Sequence, residues 1–258
     1  MYHRVSFVLS ASVLALSSLA IASPAHAQQQ PRDGGRIGVV AISTHEYAGS
    51  DETRNIVLPV LDYTWANGWF AGVSGVGHTW SLGNGLQYGI KLNYDPGREE
   101  SRSRALKGLG NLDAGAELGG FAHYALGSGF VAKTGLRFGS GVDNKGALWD
   151  VGLEYGKPLA PDWHLGAGVA ATYANSDYLQ SYFGVTAKQS IASGYQEYRP
   201  SSGLRDVAVR VSLTYIVSPT VALTGAVANT SLMGDAKDGP MVRKSSATSG
   251  LLALSYSF

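Results

Sequence analysis

Apolar and polar side chains alternate at every second position through most of the sequence after residue 36, and no other feature constrains the fold as tightly. Leu86, Tyr88, Ile90, Leu92 and Tyr94 fall on one face of an extended segment, with Gln87, Gly89, Lys91 and Asn93 on the other. The clearest run sets Val207, Val209, Val211, Leu213, Tyr215 and Val217 against Asp206, Ala208, Arg210, Ser212 and Thr214. Further runs begin at Trp149 and Trp163. A period of two is the pleat of a strand with one apolar and one polar face. The runs are about 9–12 residues long, which is what a tilted strand needs to cross a bilayer and longer than the usual strand of a soluble sandwich. Aromatic residues bracket them: Tyr88 and Tyr94, Trp149 and Tyr155, Trp163 and Tyr173. Membrane interfaces favour that placement.

Composition agrees. Charged residues make up 15%, and glycine contributes 34 of 258 residues. Soluble domains average roughly 25% charged residues and 7% glycine. Glycine-rich, charge-poor chains form helices badly, because each interior glycine costs about 1 kcal/mol. The formal net charge of +1 gives no preference for nucleic acid. Cysteine is absent, which excludes disulfides, thiolate metal sites, cysteine nucleophiles and acyl anchoring through an N-terminal cysteine. His3 and Arg4, an apolar stretch from Val5 to Ala22, and the small-x-small pattern Ala25-His26-Ala27 read as a cleaved signal peptide over 1–27. Residues 28–35 then read as a disordered leader. No later apolar run approaches the roughly 20 residues of a spanning helix. A mature chain in the membrane must therefore be a closed barrel, the one other way to satisfy every backbone group in lipid.

The fold expectation is an all-β, antiparallel transmembrane β-barrel over 36–258, exported to the Gram-negative outer membrane. Short connections at Ala66-Asn67-Gly68, Gly127-Ser128-Gly129, Ala160-Pro161-Asp162 and Ser218-Pro219 alternate with long ones near 43–54, 95–112, 175–205 and 233–246. That is the pattern of short periplasmic turns and long outer loops. Parity over 68–94 allows three short crossings, with turns near Gly75-Val76-Gly77 and Gly83-Asn84-Gly85, giving about 12 strands; a single crossing gives 10. The five aromatic residues Tyr178, Tyr182, Phe183, Tyr195 and Tyr198 should fold their loop over the barrel mouth as a lid.

By parity, Lys91, Lys133, Arg137 and Arg210 point into the lumen with Glu117, Asp150, Glu154 and Asp206. Mixed signs predict cross-strand ion pairs and a packed or plugged interior; a selective pore more often shows one sign. His78, His123 and His164 are the candidates for acid–base work. None stands in a recognisable constellation with an activated nucleophile and an orienting group, so the chain reads as non-enzymatic, with no cofactor and no metal. The mixed charges of 95–112 suit an outer loop near lipopolysaccharide phosphates. Leu252, Leu254, Tyr256 and Phe258 share one face of the last segment, with Tyr256 and Phe258 resembling the terminal signal that barrels present to the assembly machinery.

The loops carry a resemblance. Tyr47-Ala48-Gly49-Ser50-Asp51 is followed by Leu58-Pro59; Asp177-Tyr178 by Tyr182-Phe183-Gly184-Val185-Thr186; and Leu232-Met233 by Gly234-Asp235. With Gly203-Leu204-Arg205-Asp206, these segments resemble the MltA-interacting protein / OmpV family of outer-membrane proteins across nearly the whole mature chain. The resemblance implies an outer-membrane location. For the best-known branch it implies a scaffold joining a lytic transglycosylase to a peptidoglycan synthase. Other members look like adhesins that use the long outer loops, and a small solute channel is a further alternative. The family offers no catalytic residues to carry over.

Overall fold

A computed structural model describes residues 33–258, and these form one closed antiparallel barrel of twelve strands. The strands are β1 Gly34–His45, β2 Thr53–Thr64, β3 Trp69–Gly72, β4 Gly75–Leu82, β5 Leu86–Asp95, β6 Gly115–Gly127, β7 Phe130–Ser140, β8 Gly146–Ala160, β9 Trp163–Ala174, β10 Gly203–Ile216, β11 Val221–Leu232 and β12 Ser246–Ser257. Each pairs with its sequence neighbours, and β1 closes the ring on β12 from Arg36↔Ser257 to Ser43↔Gly250. The predicted signal peptide lies outside the described residues, as does most of the predicted leader. The leader's last residues are ordered into the wall: Gly34 and Gly35 begin β1, and the Asp33 carboxylate accepts from the Ala66 N–H at 2.9 Å.

The alternation does what its period dictates. On β2 the odd residues look outward, with Val57 68% and Leu61 62% exposed, while Ile56, Leu58 and Val60 look inward. Val209 and Val211, Val227, and Leu252 and Leu254 continue the exposed apolar belt around β10, β11 and β12. An apolar belt of that extent is stable only against lipid. Aromatic residues edge it: Trp149 pairs with Tyr173 toward the outer rim, and Trp163 lies 4.7 Å from Tyr215 at the periplasmic rim. A charge in the middle of this belt is correspondingly costly. Leu252→Arg is expected to lower stability by about 2–4 kcal/mol in denaturant titrations of the barrel folded into vesicles.

Twelve strands agrees with the parity argument, but one turn sits elsewhere. Gly75-Val76-Gly77 opens β4, and the hairpin tip is Val73-Ser74. Gly75 adopts φ +110°, and a Cβ there would lie 2.4 Å from the Leu92 carbonyl oxygen, so only glycine lets the tip stay this tight. β3 is consequently four residues long. An outer connection at 141–145, between β7 and β8, adds to the long loops read from the sequence; Gly139-Ser140-Gly141 and Asp143-Asn144 supply its turn residues. The loop between β9 and β10 is not irregular: it holds two helices, α1 Ser176–Phe183 and α2 Ala187–Ser193, and α3 Gly234–Lys237 follows β11.

Candidate functional site

Two constructions occupy the barrel: a lid across the outer mouth and a charged cavity beneath it. The lid is a small hydrophobic core made from four outer loops. Tyr47 comes from 46–52, Leu106, Leu109 and Leu112 from 96–114, Tyr178, Leu179, Tyr182, Phe183 and Val185 from 175–202, and Ala236 and Met241 from 233–245. Leu106, Val185, Ala236 and Met241 are fully inaccessible to solvent.

Local chemistry explains why these loops fold. Asn175 caps α1 by accepting from the Tyr178 N–H at 2.9 Å. Thr186 and Gln189 form a reciprocal capping box on α2. Gly194 then ends α2 in the left-handed conformation. Tyr178 and Tyr182, one turn apart on α1, stack at 4.5 Å. Their hydroxyls are anchored to the wall: Tyr182 donates to Asp95 Oδ2 at 2.6 Å, and Tyr178 accepts from Arg205 Nη1 at 2.9 Å. Arg98 donates to the Tyr182 carbonyl at 2.9 Å. Its Nε and Nη2 are buried without a protein partner beside a cavity of about 80 Å³, large enough for ordered water. Tyr47 donates to the Met241 carbonyl at 2.7 Å. Tyr198 ties the 175–202 loop to the Asp235 carbonyl at 2.8 Å, and the Asp235 carboxylate accepts from the Ser201 N–H at 2.7 Å.

The motif residues therefore meet in three dimensions. Tyr47, Tyr178, Tyr182, Phe183 and Val185 are lid core; Gly184 and Thr186 shape the link between α1 and α2. Gly49 has φ +99°, and its carbonyl accepts from the Arg243 and Lys244 N–H groups at 2.7 and 3.0 Å. A Cβ there would press on Val242 at 2.9 Å. Ser50 is buried and holds the turn to Glu52, and Gly234 with φ +46° starts α3. Asp51 is exposed and joins none of this packing.

Burial pushes the Tyr47 phenol up to about 12, against the opposing pull of Arg243. Tyr182 is also raised, by burial first and then by Tyr178 and Asp95. A phenol whose folded-state value lies above its unfolded value of about 10 stabilises the fold below that pH and loses the contribution as pH rises through about 12. Raising the pH from about 10 to 12 is thus expected to open the lid to limited proteolysis while the barrel strands persist. Tyr47→Phe should remove part of that pH dependence and cost about 1 kcal/mol at neutral pH.

Below the lid, parity places the predicted charges inside, and cross-strand pairing joins all but two of them, Lys91 and Asp206. Lys133 Nζ lies 2.5 Å from Glu154, which also meets Arg210. Arg137 bridges two acids, donating to Asp150 Oδ2 at 2.9 Å and to Glu117 Oε2 at 3.2 Å. Thr172 adds a bond to Asp150 Oδ1 at 3.0 Å. Asp206 meets Arg205, a residue that strict alternation would turn outward. A register shift between Leu204 and Asp206 against β9 breaks the alternation and leaves both inside. Arg36 and Asp62, paired at 2.6 Å, are further lumen charges that sequence reading does not single out. Lys91 alone of the eight makes no ion pair among the described residues; its Nζ stands 5.9 Å over the Phe121 ring.

Of the packed or plugged interior expected from mixed signs, the structure shows the plug at the outer mouth and no solid packing beneath it. A cavity of about 830 Å³ runs from Gly34, Thr64 and Thr79 near the periplasmic rim to Tyr178 and Arg205 under the lid. Most of its charges come from β5 to β10, with the Arg36–Asp62 pair added by β1 and β2. On the inner face of β1, β2, β11 and β12, Val40, Ile42, Ile56, Leu58, Ala228 and Leu251 form a separate apolar cluster, of which Ala228 lines the cavity. His123 lines the cavity, while His78 and His164 bury an Nδ1 without a partner. Among the described residues no group of three or more histidines, cysteines and acids is placed to hold a metal ion.

A closed barrel with a lipid-facing apolar belt, a polar lumen, short turns at one end and long loops at the other is an outer-membrane β-barrel protein. The family model described as MltA-interacting protein MipA matches residues 37–258. The MltA-interacting proteins of Escherichia coli (strain K12) and Shigella flexneri are each 26% identical to the chain over 251 residues, covering 92% of this chain and 93% of theirs. The chain belongs to the MltA-interacting protein family. Among solved structures, the KdgM porin aligns with TM-score 0.46 and 10% identity over 86% of this chain and 99% of that one. An outer membrane channel from Pseudomonas putida F1 aligns with TM-score 0.47 and 11% identity, over 91% and 99%.

Proposed function

We propose that this protein is a non-catalytic anchor in the outer membrane that holds a lytic transglycosylase, and through it a peptidoglycan synthase, against the membrane's periplasmic face. The observation that carries the reading is family membership over residues 37–258, together with the name of the relatives, which specifies an interaction with MltA. The lid supports it, since a barrel whose outer mouth is filled by its own hydrophobic core is poorly suited to bulk solute flow. Docking falls to the periplasmic rim, where the connections 65–68, 83–85, 128–129, 161–162 and 217–220 are short and form a shallow surface. Insertion would follow export by the signal at 1–27 and recognition of Tyr256 and Phe258 by the assembly machinery. These two side chains stand on the lipid side, 46% and 60% exposed, where an assembly factor could grip the closing strand.

Cross-linking in intact cells, with photoreactive residues placed in the periplasmic turns, tests the reading. Recovery of a lytic transglycosylase from those turns, and not from the outer loops, supports it; a cell-envelope cross-link profile without cell-wall enzymes overturns it. Passage of small solutes is the second reading, favoured by the 830 Å³ lumen cavity.

A further inference from the structure

The barrel wall has a gap. β3 pairs with β2 at only Tyr63↔Ala71 and Thr64↔Phe70, because the β3–β4 hairpin turns back at Val73-Ser74. On the side facing β3, residues Asn55–Leu61 of β2 have no strand partner among the described residues, whereas on the other side β1 pairs with them throughout. Across the gap, β4 stops pairing with β5 at Val76↔Leu92, leaving Asn93 to Asp95 with β6 alone. A notch therefore opens above the hairpin tip, bounded by β2 and β5. The outward residues on its flanks are those of the lipid belt: Val57 and Leu61 on one side, Leu92 and Tyr94 on the other.

The notch leads into the lumen. Asp62, Val73, Ser74, Asn93 and Asp95, which rim it, also line the 830 Å³ cavity. A strand edge at membrane depth is tolerated only where protein, water or another polar group can meet it. The inner surface beside the notch has two characters. Ile56, Leu58 and Val60 make the inner face of β2 apolar. Lys91, two residues below Asn93 on β5, is the lumen cation left without an ion pair. An apolar track joined to a cation that holds no ion pair of its own, reached from lipid, matches an acyl chain carrying one acidic headgroup. The cavity volume lies within the range of ligand pockets, about 300–1,000 Å³.

A partner strand laid along the β2 edge fits less well. Pro59 stands in the middle of that edge, and proline, which has no N–H, is one of the residues by which sheets protect edges from strand addition.

We propose that the notch between β2 and β5 is a lateral portal through which an anionic amphiphile from the membrane enters the lumen, its headgroup bound by Lys91 and its chain laid against the inner face of β2. The fatty carboxylate and the acidic phospholipid share this chemistry, and the test separates them. The full chain, reconstituted in phosphatidylcholine vesicles, carries a photoreactive residue at Val73 or, as control, at the lipid-facing Val211. A long-chain fatty acid is added in one arm and phosphatidylglycerol in the other. In at least one arm the acidic amphiphile should cross-link at Val73 well above its yield at Val211. The arm that responds names the headgroup. Lys91→Met should weaken that binding about tenfold or more while the barrel still folds, and Leu58→Asp should reduce it independently of Lys91. Equal cross-linking at Val73 and Val211, capture of a polypeptide at Val73 in place of lipid, or unchanged binding in Lys91→Met overturns the proposal.

Discussion

Replacing residues 178–198 by a short glycine-serine tether is expected to raise the single-channel conductance of the purified barrel in planar bilayers several-fold. The deletion removes Tyr178, Leu179, Tyr182, Phe183 and Val185 together, the centre of the hydrophobic core that fills the outer mouth. It leaves Tyr47, Leu106, Leu109 and Met241 without the surface they pack on, so the remaining loops lose the reason to stay over the lumen. It does not touch the wall, because β9 and β10 pair from Leu204↔Tyr173 down to Tyr215↔Trp163 without help from the helices. Beneath the deleted lid lies the cavity of about 830 Å³, lined by ionic side chains and reaching toward the periplasmic rim. Unchanged conductance would place the seal deeper, in the Lys133–Glu154–Arg210 group that crosses β7, β8 and β10. A high conductance in the intact protein would favour the solute-passage reading over the anchor.

The wall was legible because its physics is local. A strand between lipid and a polar lumen must alternate, so Val209 and Val211 on β10 announce their side of the sheet, and Lys133, Arg137 and Glu154 announce theirs. Parity failed where the backbone departs from the pleat. Arg205 is one residue from Asp206, yet both face inward, and nothing in the sequence marks the register shift that allows it. On β2 the continuous apolar stretch Ile56-Val57-Leu58-Pro59-Val60-Leu61 has no polar face to read, and it borders the notch. The four-residue β3 offers too few alternations to register as a strand. The lid was legible only in part. So many aromatic residues in one loop cannot remain in water, which predicts burial, but Tyr47, Leu106 and Met241 come from loops far apart in sequence, and only the closed ring brings them together. The family motif at Tyr47, Gly49 and Ser50 and the motif from Tyr178 to Thr186 are thus two halves of one packing unit.

Removing Arg137 should be the most damaging single substitution in the lumen. Its guanidinium is the shared partner of two acids on neighbouring strands, donating to Asp150 through Nε and Nη2 at 2.9 and 3.3 Å and to Glu117 through Nη1 at 3.2 Å. The Glu117 side chain is 2% exposed, and Arg137 is its only ion-pair partner among the described residues. Arg137→Met keeps the volume and removes the charge, leaving Glu117 enclosed without a counter-ion. Breaking one side of a buried pair costs about 3–5 kcal/mol, because the stranded charge has lost both water and its counter-ion. Water in the adjoining cavity screens part of this, which puts the expected loss toward the lower end, about 3 kcal/mol, in denaturant titrations of the barrel in vesicles. The same reasoning predicts that the double variant Arg137→Met, Glu117→Gln recovers most of the loss, since no uncompensated charge remains at that position. Lys145→Ala breaks the pair with Asp143 on the outer connection, where both side chains are more than 60% exposed, and should leave stability unchanged. Equal, small effects for Arg137→Met and Lys145→Ala would mean that the lumen is wet enough to solvate Glu117 alone. The ion pairs would then line the cavity without holding its walls together.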